Sequence, residues 1–239
     1  LWIEDMEAHF NATSYTSNVE IGGYYWYMEN IDAGSQKTVV QDVASYLKSI
    51  NRNFVWIPYF SAEGVSEWQT NGFDLAALQP NYAFDLKVQD SRLESAATIA
   101  KTYGTAIEIE MGHHVLSDAR YRARYYEYLA RAKELGYSDA VHFYFFGVGV
   151  KALLDDTTGV GRELYDYTYQ FIVGDGELAQ PTKNALISVD ATKGTATDIT
   201  IVESSKVTET TEILLREPPK YGSVTVNADG TVTYHADAV

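Results

Sequence analysis

One amphipathic helix and five alternations of apolar strand and helix fill residues 1–173, and a Thr- and Val-rich stretch with period-two alternation comes after them. That order predicts an α/β chain in which a parallel sheet with right-handed crossovers precedes a small all-β module. A third observation locates the function. The polar residues that interrupt the apolar strands fall at their C-terminal ends, where barrels and open α/β sheets alike place their sites.

Each element has its own signal. Residues 1–11 set Trp2, Ile3, Met6 and Phe10 at helical spacing. IGGYYWYMEN, residues 21–30, reads as an aromatic strand that closes on Glu29 and Asn30. A helix over 38–50 carries Val39, Val40, Val43, Tyr46, Leu47 and Ile50. FVWIPYF, residues 54–60, is a continuous apolar run of the kind a parallel strand covered on both faces requires. FDLAALQPNY, residues 73–82, is another, ending in Gln79 and Asn81. Ser91 and Glu94 spell a capping box for a helix that Gly104 closes. The strand at 105–111 carries Glu108 and Glu110. From Ser117 a long helix aligns Tyr121, Tyr125, Leu129, Ala132 and Leu135, then stops at Gly136. AVHFYFFGV, residues 140–148, is the fifth strand, and a helix over 161–173 lines up Leu164, Thr168 and Phe171.

After Gly174 the texture changes to a linker, GDGELAQPTK, and then to strands. Ser223–Asn227 and Thr231–Tyr234 flank Ala228-Asp229-Gly230, a hairpin signal. The expected division is therefore 1–175 for the α/β part and 176–239 for the linker and β module. Leu1 falls inside a helix and Val239 in or beside a strand, so an excerpt of a longer protein is expected.

Composition narrows the partners. A net charge of −15 argues against a nucleic-acid partner, which needs a basic surface. No apolar run is long enough to span a bilayer, so no membrane insertion is expected. The absence of cysteine removes disulfides and Cys-ligated zinc. Nineteen Tyr and four Trp suit stacking on sugar rings, although the same residues fill cores.

Glu108 and Glu110 lie two residues apart on a strand and so share a face. Acids on a core strand are costly unless paired, and at the C-terminal end of a parallel strand the usual reason for them is chemistry. Hydrolysis of a glycosidic bond needs one carboxyl to protonate the leaving oxygen and a second to attack or to activate water, and Glu29 is the acid that ends another strand. The alternative is structural: Glu29 caps its loop, and Glu108 or Glu110 pairs with an Arg. Glu108, the deeper of the two, would orient Glu110 or tune it. Trp26, Tyr59, Tyr82 and Tyr144 are candidates to line a sugar subsite, with Gln79 and Asn81 bonding hydroxyls; core packing is the competing role, of equal weight for Trp26. His113, just past the strand end, joins the substrate-binding candidates. His113, His114 and Asp118 lack the convergence that a metal demands, so neither metal nor other cofactor is expected. Gly147 to Ala152 spells G-x-G-x-x-A, yet no further βαβ unit follows to make a dinucleotide fold.

The strand ends YYWYMEN, WIPYF, GFDLAALQPNYAF and AIEIEMG, in that order, resemble the bacterial family catalogued as domain of unknown function 4855. The resemblance covers about residues 1–173 and implies a partial (β/α)8 TIM-type barrel of glycoside-hydrolase type, strands four to eight, in a secreted or cell-surface bacterial protein. The tail PPKYGSVTVNADGTVTYHADA resembles a cadherin-like repeat of bacterial surface proteins, implying a small sandwich-like module that associates with the cell wall or surface. If residues 21–30 are the fourth strand, the resemblance implies Glu29 as acid/base and Glu110 as nucleophile of a retaining enzyme. The large clan usually has Asn-Glu at the fourth strand, whereas Met28-Glu29-Asn30 stands here. The rival expectation is a non-catalytic carbohydrate-binding or adhesion protein on the same scaffold.

Overall fold

The computed structural model describes residues 2–32, 34–174, 189–208, 211, 213, 215 and 218–237. In chain order the α/β part forms α1 (Trp2–Asn11), β1 (Gly23–Trp26), α2 (Ser35–Ser49), β2 (Asn53–Trp56), β3 (Leu75–Leu78), α3 (Ser91–Tyr103), β4 (Ala106–Met111), α4 (Ala119–Leu135), β5 (His142–Phe146), α5 (Val150–Asp155) and α6 (Val160–Val173). The tail adds β6 (Ala196–Thr200), β7 (Gly222–Val226) and β8 (Thr231–Ala236). Strands β1 to β5 form one sheet in sequential order, and β1–β2, β2–β3 and β3–β4 pair in parallel. The α/β class and the sequential parallel order are as the alternation required. A second sheet, ordered β6-β8-β7, is antiparallel.

The strands are shorter than their apolar runs. The run at 54–60 is a strand only to Trp56, because Pro58 has no N–H to give a ladder. The carbonyls beyond it are claimed from the side: Pro58 O accepts from the Gln79 N–H at 2.9 Å, and Ile57 O from Gln79 Nε2 at 2.9 Å. Likewise β3 ends at Leu78, two residues before Pro80. The helix expected from Ser117 begins two residues later, capped by Asp118, whose carboxylate accepts from the Arg120 N–H at 2.9 Å. The short helix α5 was not foreseen.

The chain divides into two compact units: residues 1–81 with 93–108 and 139–143, and residues 82–92 with 109–138 and 144–239. The boundary expected at 175 and its linker lie outside the described residues. In the first unit α2 buries Val40, Ala44 and Leu47 at helical spacing. Gly72, at φ +94°, allows the chain to pass so close to α2 that an added Cβ would lie 2.5 Å from that of Ala44. Phe73 stacks on both Phe54 (4.5 Å) and Trp56 (5.3 Å). In the second unit α4 buries Tyr125, Tyr128, Leu129 and Ala132, and the Tyr125 hydroxyl meets Thr168 Oγ1 of α6 at 2.6 Å.

The foreseen hairpin joins β7 to β8. Asp229 Oδ1 accepts from the Thr231 N–H at 3.0 Å, and Gly230 takes φ +88° where a Cβ would strike Val202 O.

Trp56 is fully buried, and its Nε1–H donates to Met28 O at 2.8 Å. Trp56→Ala is expected to cost about 3–5 kcal/mol of unfolding free energy, because it removes the stacked ring and leaves a cavity. Urea unfolding of the variant measures it.

Candidate active site

Register assigns the faces of the sheet. Tyr25 lies beside Val55, Val55 beside Leu75, and Ala77 beside Ala106. Alternation along β3 and β4 then puts Glu108 on the face that bears Tyr25. On that face a cleft of about 330 Å³ is lined by Tyr25, Val55, Ile57 and Phe143 among others, within the size range of small-ligand sites. The Tyr25 phenol is pushed up to about 12, first by partial burial of its ring and then by the charges of Glu29 and Glu108 and by Tyr27. Two carboxylates, one beyond β1 and one within β4, therefore bear on one phenol at the wall of a cleft, and that phenol keeps its proton as a donor. In the 13C spectrum of Cζ-labelled tyrosines, Tyr25 is expected to remain un-ionised at pH 11. Its midpoint should fall in the Glu29→Gln/Glu108→Gln double variant, while staying above the ordinary tyrosine value because burial persists.

Glu29 sits three residues past β1 in a bend whose backbone is pinned on every side. Met28 O accepts from Trp56 Nε1, Glu29 O from the Tyr59 N–H at 3.3 Å, and Asn30 Oδ1 from the Tyr59 hydroxyl at 3.2 Å and the Glu63 N–H at 2.7 Å. The Ile31 N–H donates to Glu63 O at 3.2 Å, and the Ile31 side chain is buried. The Glu29 carboxylate itself is exposed. A rigid bend thus presents a solvent-facing acid, and Tyr59 builds the bend.

Gln79 and Asn81 also serve the scaffold. Gln79 reaches Ile57 O and accepts from Asn81 Nδ2 at 3.1 Å, while Asn81 Oδ1 accepts from the Phe60 N–H at 2.9 Å. Asn81 takes φ +50°, a left-handed conformation that Asn tolerates better than most residues. Together they bind the end of β3 to the segment after β2. Trp26, next to Tyr25 along β1, is edge-on to Phe54 at 6.1 Å and lines a second cleft with Trp2 and Ile3, which Tyr25 also borders.

In the second unit Glu110 closes β4 with no exposed surface, whereas Glu108 retains 7%. The expected order of depth is reversed. Glu110 Oε2 accepts from the Tyr82 N–H at 3.0 Å and from the Tyr128 hydroxyl in a short contact. Burial, and next the Glu110 charge, hold the Tyr128 phenol far above its ordinary range, so it remains a donor. Tyr82 is 1% exposed, and its hydroxyl is shared by Asp90 Oδ1 (2.8 Å) and Glu127 Oε2 (2.5 Å). It therefore lies in a polar network at the wall of a small cleft that Leu86, Asp90, Arg124 and Glu127 also line.

His113 is exposed, its Nδ1 donates to Gly147 O at 2.8 Å, and its ring lies 6.3 Å from Phe84 and 6.4 Å from Phe145. Tyr144 instead packs on Phe146, which meets Tyr125 of α4. The residues that sequence reasoning passed over are Tyr25, Phe143 and Phe145, each next in sequence to a chosen aromatic, and Tyr128. For the first three the signal is the face of the strand that each occupies, which is readable only once strand register is known. For Tyr128 there was none, since its partner is 18 residues away on another element.

The family model described as "Domain of unknown function (DUF4855)" matches residues 1–170. No curated protein matches the chain.

Proposed function

Because the chain belongs to the DUF4855 family through residues 1–170, a kinship that specifies no reaction, we propose that it is a glycoside hydrolase of an extracellular poly- or oligosaccharide, using two carboxylates on a (β/α)8-type scaffold. The observation that carries this reading is Tyr25, a cleft-lining phenol under the charge of Glu29 and Glu108. Glu29, exposed on its pinned bend, is the acid/base that protonates the leaving oxygen. Glu110 is the nucleophile. Two donors on one of its oxygens fix its orientation, as a nucleophilic carboxylate needs. Glu108 tunes the pair, and Tyr25 donates a hydrogen bond to a carboxylate or to a sugar hydroxyl. The aromatic cleft wall fits the apolar face of a pyranose ring. The cadherin-like β module, on this reading, contributes surface association and no catalytic group.

The test is release of reducing ends from a panel of α- and β-linked oligosaccharides, with the anomer of the first product read by proton NMR. A product that keeps the substrate's anomeric configuration supports a covalent intermediate on Glu110; inversion assigns Glu110 to activation of water instead. A second reading, a carbohydrate-binding protein without turnover, draws on one observation: Glu110 is fully buried and already accepts two hydrogen bonds. Oligosaccharide binding with no hydrolysis across the panel would select it.

A further inference from the structure

Several side chains of α4 fasten the segment after β3, residues 82–90, and buried Arg124 bonds three of its carbonyls. Arg124, 4% exposed, donates through Nη1 to Tyr82 O and through Nη2 to Leu86 O and Val88 O, each at 2.6 Å. Its guanidinium lies 4.2 Å over the Tyr82 ring. The far end of that ring is held as well, by Asp90 and by Glu127, and Arg131 Nη1 meets Glu127 Oε1 at 3.3 Å. Tyr82 is thus gripped at its carbonyl, its ring face and its hydroxyl. The one remaining polar group of Tyr82, its backbone N–H, donates to Glu110 Oε2.

We infer that Arg124 is a positioning residue for Glu110. It fixes the Tyr82 peptide, and so the direction and strength of the Tyr82 N–H···Glu110 hydrogen bond. Arginine suits the task because a planar fork of donors bonds several carbonyls at once, which a lysine ammonium on a flexible stem does not. The catalytic half of this inference rests on the hydrolase reading above; the structural half does not.

The test uses the whole protein with Arg124→Met, Arg124→Lys and, as a control on the exposed side of α4, Lys133→Met. In wild type the Tyr82 amide proton is expected downfield, as a donor to carboxylate. It should move upfield in Arg124→Met and part of the way in Arg124→Lys, and stay in place in Lys133→Met. Trypsin should cut after exposed Lys87 about tenfold faster in Arg124→Met, since the segment must leave α4 to be cleaved. On an aryl glycoside that the wild type hydrolyses, kcat should fall about tenfold or more while KM stays within about twofold, because misplacing a reacting group costs rate rather than affinity. If Arg124→Met does not fold, Arg124→Lys carries the test. An unmoved Tyr82 amide in a folded Arg124 variant overturns the inference, as does an unchanged kcat in a variant whose amide has moved. If wild type hydrolyses none of the panel, the hydrolase reading falls together with the catalytic half, and the amide shift and the Lys87 cut still decide whether Arg124 holds Tyr82 against Glu110.

Discussion

Glu110→Gln is expected to lower turnover by on the order of a thousandfold or more while oligosaccharide binding persists. The amide keeps the shape of the side chain, and its oxygen can still accept from the Tyr82 N–H and the Tyr128 hydroxyl, so the fold should survive. What it lacks is the negative charge that attacks the anomeric carbon. Glu108→Gln should cost less, on the order of tenfold to a hundredfold, because Glu108 acts on its neighbours' charge rather than on the bond. Initial rates on one soluble substrate, beside isothermal titration of the same ligand, separate the two. The opposite ranking would transfer the nucleophile's role to Glu108; wild-type rates in both variants would end the claim that this strand is catalytic.

Glu29→Ala should show a loss that depends on the leaving group. Native glycans, whose alkoxide must be protonated to depart, are expected to lose on the order of a hundredfold to ten-thousandfold. A dinitrophenyl glycoside, which departs without a proton, should retain most of its rate of bond cleavage. The bend that bears Glu29 is fastened through Met28 O, Glu29 O and Asn30 Oδ1, none of which the substitution removes, so a structural explanation predicts no such selectivity. Rates on a series of aryl glycosides give the slope against leaving-group acidity. A slope equal to that of wild type would sink the acid/base assignment.

Trp56 couples this chemistry to the core. Its Nε1–H holds Met28 O, one residue before Glu29, so Trp56→Ala should loosen the bend as well as destabilise the fold. Loss of activity in that variant below its unfolding midpoint would register the first effect apart from the second.

The sequence alone determined the alternation of helix and strand, the sequential parallel sheet, the hairpin at 228–230 and the strand ends where the acids stand. Those properties follow from local rules: apolar periodicity, Gly and Asp at turns, and the scarcity of charge inside a sheet. Helix stops at Gly104 and Gly136 were legible for the same reason, each taking the positive φ that glycine allows.

Only the tertiary structure decided which aromatic of each run belongs to the acids. YYW and FYFF contain aromatics at adjacent positions, and adjacent positions in a strand face opposite ways. The sequence reading chose Trp26 and Tyr144, whereas Tyr25 and Phe143 line the cleft. The roles of Gln79, Asn81 and Tyr59 were hidden likewise, since a polar side chain at a strand end reads as ligand-seeking until the carbonyls and amides it serves are known. Glu110 shows the limit most plainly. Its two donors come from positions 82 and 128, and Arg124 holds the first of them through three carbonyls of a segment some 40 residues away in sequence. Local pattern places a carboxylate near a strand end, but hydrogen bonds between distant segments exist only once the chain has closed on itself, and they set that carboxylate's direction.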